Sequence, residues 1–257
     1  MHPLHVVLYI IAALALGSFL NVIIYRLPRG ESLISPGSRC PACGKPIRIY
    51  DNVPLFSFLA LMGKCRYCRT PIPFRYPLVD ALTAILLTSL LAVYGPSPHL
   101  IAFVVLTLFL IPIAFIDLQT GYILDKLTIP AFILGIPLIL GLQIASWKAV
   151  LVGAGSGAGT LIFFAILGKF LFRKESMGIG DIKLMGVIGV YLGFPGALIA
   201  LFLGGLAGFA VVFAGLITKK LRIHDAIPFG PFIAIGTIGY ILGGDWLIHW
   251  YMGLYQN

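Results

Sequence analysis

The chain has 257 residues, of which 60% are hydrophobic and 11% are charged, whereas about 25% of the residues of a soluble domain are charged. This composition excludes an ordinary soluble globular protein and indicates a membrane protein. The formal net charge is +9. The basic residues lie mainly on one side of the predicted membrane spans, as described below, so the charge does not indicate nucleic acid binding.

Apolar segments long enough to cross a bilayer, about 20 residues each, recur along most of the chain. They predict an all-α polytopic membrane protein with about eight transmembrane helices. The candidate spans are residues 4–24, 77–94, 99–116, 127–144, 148–171, 182–194, 196–217 and 227–250. The sixth span is short, and only the segment 193–196 separates it from the seventh, so seven spans are the alternative.

The first span lacks a preceding basic region and a following cleavage site, so we interpret it as a retained helix and not as a signal peptide. The basic residues then set the orientation. If the amino terminus lies outside, 17 of the 18 Lys and Arg residues lie on the cytoplasmic side, and only Lys148 lies outside. This distribution obeys the positive-inside rule and attracts anionic lipid. An even number of spans places both termini outside the cytoplasm.

Residues 26–76 form the only long polar segment, and they contain all four cysteines. Their pattern is Cys-x2-Cys-x21-Cys-x2-Cys, formed by Cys40, Cys43, Cys65 and Cys68. Two such pairs can hold a zinc ion tetrahedrally, and a reducing cytoplasm disfavours disulfides. Free cysteines or a redox pair are the alternatives. A zinc ion with four protein ligands would be structural, so we predict a cytoplasmic zinc-ribbon-like insertion between the first and second spans.

These boundaries divide the chain into three parts. Residues 1–25 form the first transmembrane helix, residues 26–76 form the zinc-binding loop with its four cysteines, and residues 77–257 form a transmembrane core.

Three carboxylates lie at the ends of predicted spans, where ionisable groups are functional candidates. Asp125 begins the fourth span and is well placed as a helix N-cap. Asp117 ends the third span, where it meets the negative end of the helix macrodipole, an arrangement that local stability does not favour. Asp181 follows Gly178 and Gly180, which allow a tight backbone turn and leave room for an extended substrate strand.

An aspartic protease requires two carboxylates, and here they would come from separate helices at the same depth in the membrane. One accepts a proton from water, while the other hydrogen-bonds the scissile carbonyl. The alternative from another class is a transporter that uses the carboxylates as a proton relay, for which acids near the midplane of the bilayer are expected. A non-catalytic assembly factor is a further alternative.

Seven segments resemble the bacterial type IV prepilin peptidases, which belong to the Gly-x-Gly-Asp class of aspartic proteases. The resemblance covers most of the chain, and the segments together are highly specific. They are "GSFLNVIIYRLPRG" at 17–30, the two Cys-x2-Cys pairs, "RYPLVD" at 75–80, "IDLQTGYILDKLTIP" at 116–130, "GIGDIKLMGVIGVYLG" at 178–193 and "IPFGPFIAIG" at 227–236.

The resemblance implies a multi-pass enzyme of the bacterial inner membrane. It implies cleavage of the short basic leader of type IV prepilins or type II secretion pseudopilins at the cytoplasmic face. N-methylation of the new amino terminus with S-adenosylmethionine follows, and a peptidase without this second activity is the alternative. By motif, Asp117 and Asp181 are catalytic and Asp125 is not. The chain departs from many members at Asp80, where they carry Glu, and at Leu124, where they carry Pro.

The segment "GAGSGAG" at 153–159 approaches a dinucleotide-binding fingerprint, but it lies inside an apolar span with no preceding strand. We therefore predict that its small residues allow close helix packing, and we make the same prediction for Gly204 and Gly208. No motif for the methyl donor is visible. Any donor pocket must lie between the cytoplasmic loop and the helix ends.

Overall fold

The structure, a computed structural model, describes residues 3–172, 177–219 and 227–254, and the side chains of these residues except those of 172 and 245–254. The described residues form helices joined by loops, with two isolated β-bridges in the cysteine-rich segment. The α-helices are α1 Pro3–Arg26, α2 Phe56–Ala60, α3 Arg75–Tyr94, α4 Pro98–Thr120, α5 Asp125–Gly141, α6 Trp147–Phe172, α7 Ile179–Ile217 and α8 Gly230–Leu254.

The chain divides into two compact units, Met1–Val93 (unit 1) and Tyr94–Asn257 (unit 2). In unit 1, α1 packs antiparallel against α3. The Tyr9 hydroxyl donates a hydrogen bond to the Leu87 carbonyl at 3.2 Å. Further along, a Cβ atom added at Gly17 would lie only 2.9 Å from the Cα atom of Asp80. The absence of a side chain at Gly17 therefore lets the two helices approach closely at Asp80.

In unit 2, small residues allow α6 and α7 to pack with their backbones almost in contact. A Cβ atom added at Gly153 would lie 2.1 Å from the Gly189 carbonyl oxygen, and one added at Gly157 would lie 2.3 Å from the Met185 carbonyl oxygen. Gly155, between them, faces open space. The prediction that the segment 153–159 serves helix packing is confirmed.

Glycine residues also allow α7 and α8 to pack closely. A Cβ atom added at Gly204 would lie 2.5 Å from the Phe232 carbonyl oxygen, and one added at Gly208 would lie 3.3 Å from the Phe232 ring. The prediction for these two glycines is also confirmed.

Helix α7 contains a kink that divides it. A straight helix of its 39 residues would be about 58 Å long, nearly twice the thickness of a bilayer core. At Gly193 the backbone leaves the helical conformation, with φ 68° and ψ −175°. A positive φ favours glycine, and Pro195 follows two residues later. The predicted sixth and seventh spans therefore lie on the two sides of a kink within one helix.

Five helical segments of the described residues are long and apolar enough to cross a membrane. They are Pro3–Arg29, Arg75–Tyr94, Pro98–Thr120, Trp147–Leu171 and Ile179–Ile217. Helix α5 has 17 residues, and Gly230–Gly244 of α8 is a shorter apolar segment. Large apolar side chains such as Phe170 and Phe209 are exposed on α6 and α7, as expected for helices that contact lipid. The count of about eight spans stays a prediction.

Candidate functional site

The four cysteines lie on two loops of unit 1 that have the same backbone structure. In the first loop, the Cys40 carbonyl accepts a hydrogen bond from the Gly44 N–H at 2.8 Å. In the second loop, 25 positions later, the Cys65 carbonyl accepts one from the Arg69 N–H at 3.0 Å. Gly44 and Arg69 also share a positive φ, 69° and 59°. The two Cys-x2-Cys segments are therefore paired knuckles, as the spacing predicts.

The knuckles bring all four thiols together. The Sγ atoms of Cys40, Cys43, Cys65 and Cys68 lie within 4.8 Å of one another, and this cluster could hold a metal ion. The Sγ atoms of Cys40 and Cys68 are 3.7 Å apart. Zinc–sulfur bonds of about 2.3 Å in a tetrahedron require a sulfur–sulfur distance of about 3.8 Å. The donor set and its spacing therefore fit zinc, and the cysteines are free thiols.

Two of these thiols have opposite shifts in acidity. Burial raises the pKa of Cys40 to about 11, and hydrogen bonding with Thr70 lowers the pKa of Cys68 to about 6. In the absence of metal, Cys68 therefore ionises more readily than Cys40. Metal binding must release the Cys40 proton, so the affinity depends on pH.

An ion pair braces the second knuckle. The Arg66 side chain donates to both carboxylate oxygens of Asp51 at 2.6–3.1 Å. This hydrogen bonding lowers the pKa of Asp51. The pair connects the 3-10 turn Ile49–Asn52 to the Cys65–Cys68 knuckle.

In unit 2, Asp117 lies one turn before the end of α4 and is 4% exposed. Its Oδ2 atom accepts a hydrogen bond of 2.9 Å from the backbone N–H of Gly230, the first residue of α8. The positive end of α8 therefore offsets the unfavourable position of Asp117 on its own helix. The sequence does not predict this partner, because every residue except proline carries a backbone N–H.

Asp181 lies in the first turn of α7, three residues after the N-cap residue Gly178. Its carboxylate lies next to Gly178, where an added Cβ atom would be 3.2 Å from Asp181 Oδ2. Gly178 has φ −74° and ψ 142°, which any residue adopts. Glycine is required instead at Gly180, where an added Cβ atom would lie 2.8 Å from Cβ of Ile123. The reason for glycine here is close packing, which differs from the predicted tight turn.

Ile123 connects the surroundings of the two acids. Its side chain contacts Gly180, next to Asp181, and its Cδ1 atom would lie 3.2 Å from a Cβ atom added at Gly230. The carboxylates of Asp117 and Asp181 are close enough to repel each other. The structure therefore brings both predicted acids to one place, where the first turns of α7 and α8 meet the end of α4.

Asp125 has a different environment. It is the first residue of α5 and not its N-cap, which is Leu124, and no side chain caps this helix. The predicted N-cap role of Asp125 is therefore wrong. Its carboxylate instead accepts hydrogen bonds from Lys183 at 2.7 and 2.9 Å. Because both side chains are about half exposed, 43% and 54%, this ion pair contributes little stability.

A buried polar pair in unit 1 was not predicted. The Asn21 side chain donates from Nδ2 to Asp80 Oδ1 and to the Tyr76 carbonyl, both at 3.0 Å. Asn21 is 3% exposed and Asp80 is 7% exposed. Asn21 and Asp80 are 59 positions apart in the chain, so the local sequence around Asp80 does not indicate this partner.

An apolar cavity of about 490 Å³ lies in unit 2 between α6 and the second half of α7. Phe164, Leu201 and Gly205 line it, together with Met177 and Phe229. Met177 immediately precedes Gly178, and Phe229 immediately precedes Gly230. Two residues that line the cavity are therefore sequence neighbours of Gly178 and Gly230, which lie beside Asp181 and Asp117.

Comparisons with known proteins find two family models in this chain. The Bacterial Peptidase A24 N-terminal domain matches residues 11–94, and the Type IV leader peptidase family matches residues 104–214. No solved structure matches the chain significantly.

Curated relatives match over nearly the whole chain, and the three described here are each called a prepilin leader peptidase/N-methyltransferase. The protein of Burkholderia pseudomallei strain 1026b is 34% identical over 91% of this chain and 84% of its own length. The protein of Aeromonas hydrophila is 36% identical over 93% and 91%. The protein of Pseudomonas aeruginosa is 35% identical over 98% and 95%.

Proposed function

Because the chain belongs to the type IV leader peptidase family, we propose that it cleaves the basic leader of membrane-anchored prepilins or pseudopilins and then N-methylates the new amino terminus. Asp117 and Asp181 perform the cleavage. The observation that carries this assignment is their convergence around Ile123. Family membership does not favour a carboxylate-relay transporter, and the relatives' names support both activities over a peptidase alone.

The aspartate pair shares one proton, because two adjacent carboxylates do not both ionise readily. The ionised member accepts a proton from water, and the water oxygen attacks the scissile carbonyl carbon while the protonated member donates to the carbonyl oxygen. When the tetrahedral intermediate collapses, the carbon–nitrogen bond breaks and the nitrogen takes up a proton from the pair. The products are a leader carboxylate and a free amine.

The Gly230 N–H positions one member of the pair. A carboxylate that accepts this hydrogen bond through Oδ2 is held with Oδ1 available for water or substrate. A backbone donor at the start of α8 thus orients Asp117 without occupying another side chain.

Asparagine substitutions test the assignment, since Asn has nearly the same shape as Asp but cannot accept the proton. We expect Asp117→Asn and Asp181→Asn to abolish leader cleavage by the purified enzyme. Asp125→Asn is the matched control, and it removes only the exposed ion pair with Lys183. Measurable cleavage by either dyad variant, or equal loss in the control, contradicts the assignment. The thermal midpoint in detergent reports whether each variant is folded.

The apolar cavity beside Met177 and Phe229 supports a substrate that is itself apolar. We assign it to the apolar residues that follow the cleavage site in a prepilin. Gly205→Leu fills the cavity from a position where an added Cβ atom meets nothing within 4 Å. The expected result is weaker binding of prepilin with the dyad intact, seen as a raised KM. An unchanged KM contradicts this assignment.

Methylation requires a donor. When bound, S-adenosylmethionine would supply an electrophilic methyl group from its sulfur to the new amine, which would lose a proton. The chain's own residues must bind the donor and exclude water from the amine. The four cysteines would hold a structural zinc ion, which would stabilise the polar loop between α1 and α3 because such a short loop has little apolar core.

In this proposal the enzyme resides in the bacterial inner membrane. The basic loop and the dyad lie at the cytoplasmic face, and both termini lie outside the cytoplasm. The support is the distribution of 17 of 18 basic residues on one side of the predicted spans. A reporter fused to the carboxyl terminus tests the orientation, since alkaline phosphatase is active only outside the cytoplasm.

A further inference from the structure

Large apolar side chains are exposed in the cysteine-rich loop of unit 1, outside the membrane-spanning helices. Phe56 and Leu59 of α2 are 68% and 72% exposed, and Met62 and Phe74 are 78% and 69% exposed. We call these four residues the apolar surface of the loop. Proteins in water rarely expose several large apolar side chains in one place, and where they do, the side chains mark a contact with a protein or a membrane.

Backbone and ring contacts connect the segments that carry these side chains. The Ile72 N–H donates to the Gly63 carbonyl at 2.7 Å, so the segment before Phe74 lies against the turn that follows Met62. The rings of Phe58 and Phe74 meet edge to face, with their centroids 6.4 Å apart, and Phe58 belongs to α2. The four side chains of the apolar surface therefore lie on segments that are in direct contact.

A hydrogen bond inside the loop fixes which side of α2 is exposed. Ser57 is buried, and its hydroxyl donates to the Tyr50 carbonyl at 2.9 Å. Residues three positions apart lie on the same side of a helix, so Phe56 and Leu59 share a side, which Ser57 does not occupy. The fold of the loop therefore holds both apolar side chains outward.

The apolar surface lies next to the end of a helix that is long and apolar enough to cross a membrane. Phe74 directly precedes Arg75, the first residue of α3. Helix α3 has 20 residues and is therefore about 30 Å long, which equals the thickness of a bilayer core. Its first residue must then lie at the membrane–water interface, where aromatic side chains are enriched. Phe74 places the apolar surface at that level.

The charge of the loop is complementary to anionic lipid. Residues 26–75 carry nine Lys and Arg residues and two acidic residues, and the carboxylate of Asp51 is paired with Arg66. Lys64, two residues after Met62, is exposed. Apolar side chains beside basic residues are typical of segments that bind the headgroup region of anionic membranes. The leader of the proposed substrate is itself basic, so this loop would repel it.

We infer that the apolar surface inserts into the headgroup region of the leaflet that this loop faces, which is the cytoplasmic leaflet in the proposed function, and that Lys64 contacts anionic phospholipid beside it. The contact holds the second knuckle against the membrane, since Cys65 follows Met62 by three positions. The inference goes beyond the proposed function, because it assigns a partner to a surface that neither reaction uses.

Photocrosslinking to lipid tests the inference. The full-length enzyme carries the photoreactive amino acid para-benzoylphenylalanine in place of Leu59 or Met62. It is reconstituted in vesicles of phosphatidylethanolamine and phosphatidylglycerol with tritiated acyl chains. Light should attach lipid to the peptide of residues 53–64. Ile49 is the matched control, since it is 91% exposed in the same loop and lies outside the apolar surface, so the same amino acid there should take up little lipid.

A double variant, Leu59→Glu with Met62→Glu, measures the strength of the contact. Burial of a Leu or Met side chain shifts an equilibrium by about 10- to 100-fold. We therefore expect trypsin to cleave the vesicle-bound double variant after Lys64 at least about 10-fold faster than the original enzyme, with the thermal midpoint in detergent unchanged. Ile49→Glu is the control and should be cleaved at the original rate. Replacing phosphatidylglycerol with phosphatidylcholine should weaken the contact about fivefold for each basic residue at the surface.

The inference is overturned if Leu59 and Met62 take up no lipid, if Ile49 takes up as much as they do, or if trypsin cleaves the double variant within twofold of the original rate. A crosslinked dimer in place of the lipid adduct also overturns it, because the surface then binds a second copy of the chain. Added prepilin that replaces lipid in the adduct assigns the surface to substrate and overturns it likewise. Crosslinking remains decisive if the double variant fails to fold.

Discussion

Replacing Gly230 with alanine tests the contact that orients Asp117. The added Cβ atom would lie 2.7 Å from Asp117 Oδ2, whereas ordinary carbon–oxygen contacts are about 3.3 Å or longer. The carboxylate or the start of α8 must therefore move by about 0.6 Å. Such a shift lengthens the 2.9 Å hydrogen bond to about 3.5 Å, the limit of useful geometry.

The expected loss follows from that hydrogen bond. A hydrogen bond to a charged acceptor contributes about 1.5–3 kcal/mol, which corresponds to about 10- to 100-fold in rate. We expect kcat/KM for leader cleavage to fall by this factor in Gly230→Ala. Gly243→Ala is the control, since Gly243 lies in the same helix and an added Cβ atom there meets nothing within 4 Å. If Gly230→Ala cleaves within twofold of the original enzyme, the proposed role of this hydrogen bond is refuted.

Three further predictions concern stability and metal binding. Zinc affinity should fall steeply between pH 7 and pH 5. The Cys68 thiolate, with a pKa of about 6, takes up a proton that competes with the metal. A chelator titration that shows constant zinc affinity over this range would contradict this prediction. Gly157→Ala should lower the thermal midpoint in detergent, because the added methyl group forces α6 and α7 apart at a cost of about 1–3 kcal/mol. Gly155 faces open space, so Gly155→Ala should leave the midpoint unchanged or raise it. Equal midpoints for the two variants would contradict the close packing of α6 and α7 at Gly157. Arg69→Gly should stabilise the metal-bound loop against proteolysis by about 0.5–1 kcal/mol. Arg69 has a positive φ of 59°, and glycine occupies the equivalent position of the other knuckle. Faster proteolysis of the variant would show that the Arg69 side chain stabilises the loop in another way.

The amino-acid sequence by itself determined the class of protein, and it predicted which acids and cysteines are the functional candidates. Apolar length identifies membrane helices because the bilayer core requires a minimum span. The spacing of Cys40, Cys43, Cys65 and Cys68 predicts the paired knuckles, because each Cys-x2-Cys segment is a local structure. Small residues at Gly153 and Gly157 indicate close helix packing for the same reason: the backbones can approach only where side chains are absent.

Only the tertiary structure decided which groups meet. Asp117 and Gly230 are 113 positions apart, and Asn21 and Asp80 are 59 positions apart. Transmembrane helices are apolar on all sides, so the hydrophobic pattern does not indicate which face of a helix contacts which neighbour. The donor that positions Asp117 is a backbone N–H, which every residue except proline carries. Partners of this kind become visible only when the packing of the helices is known.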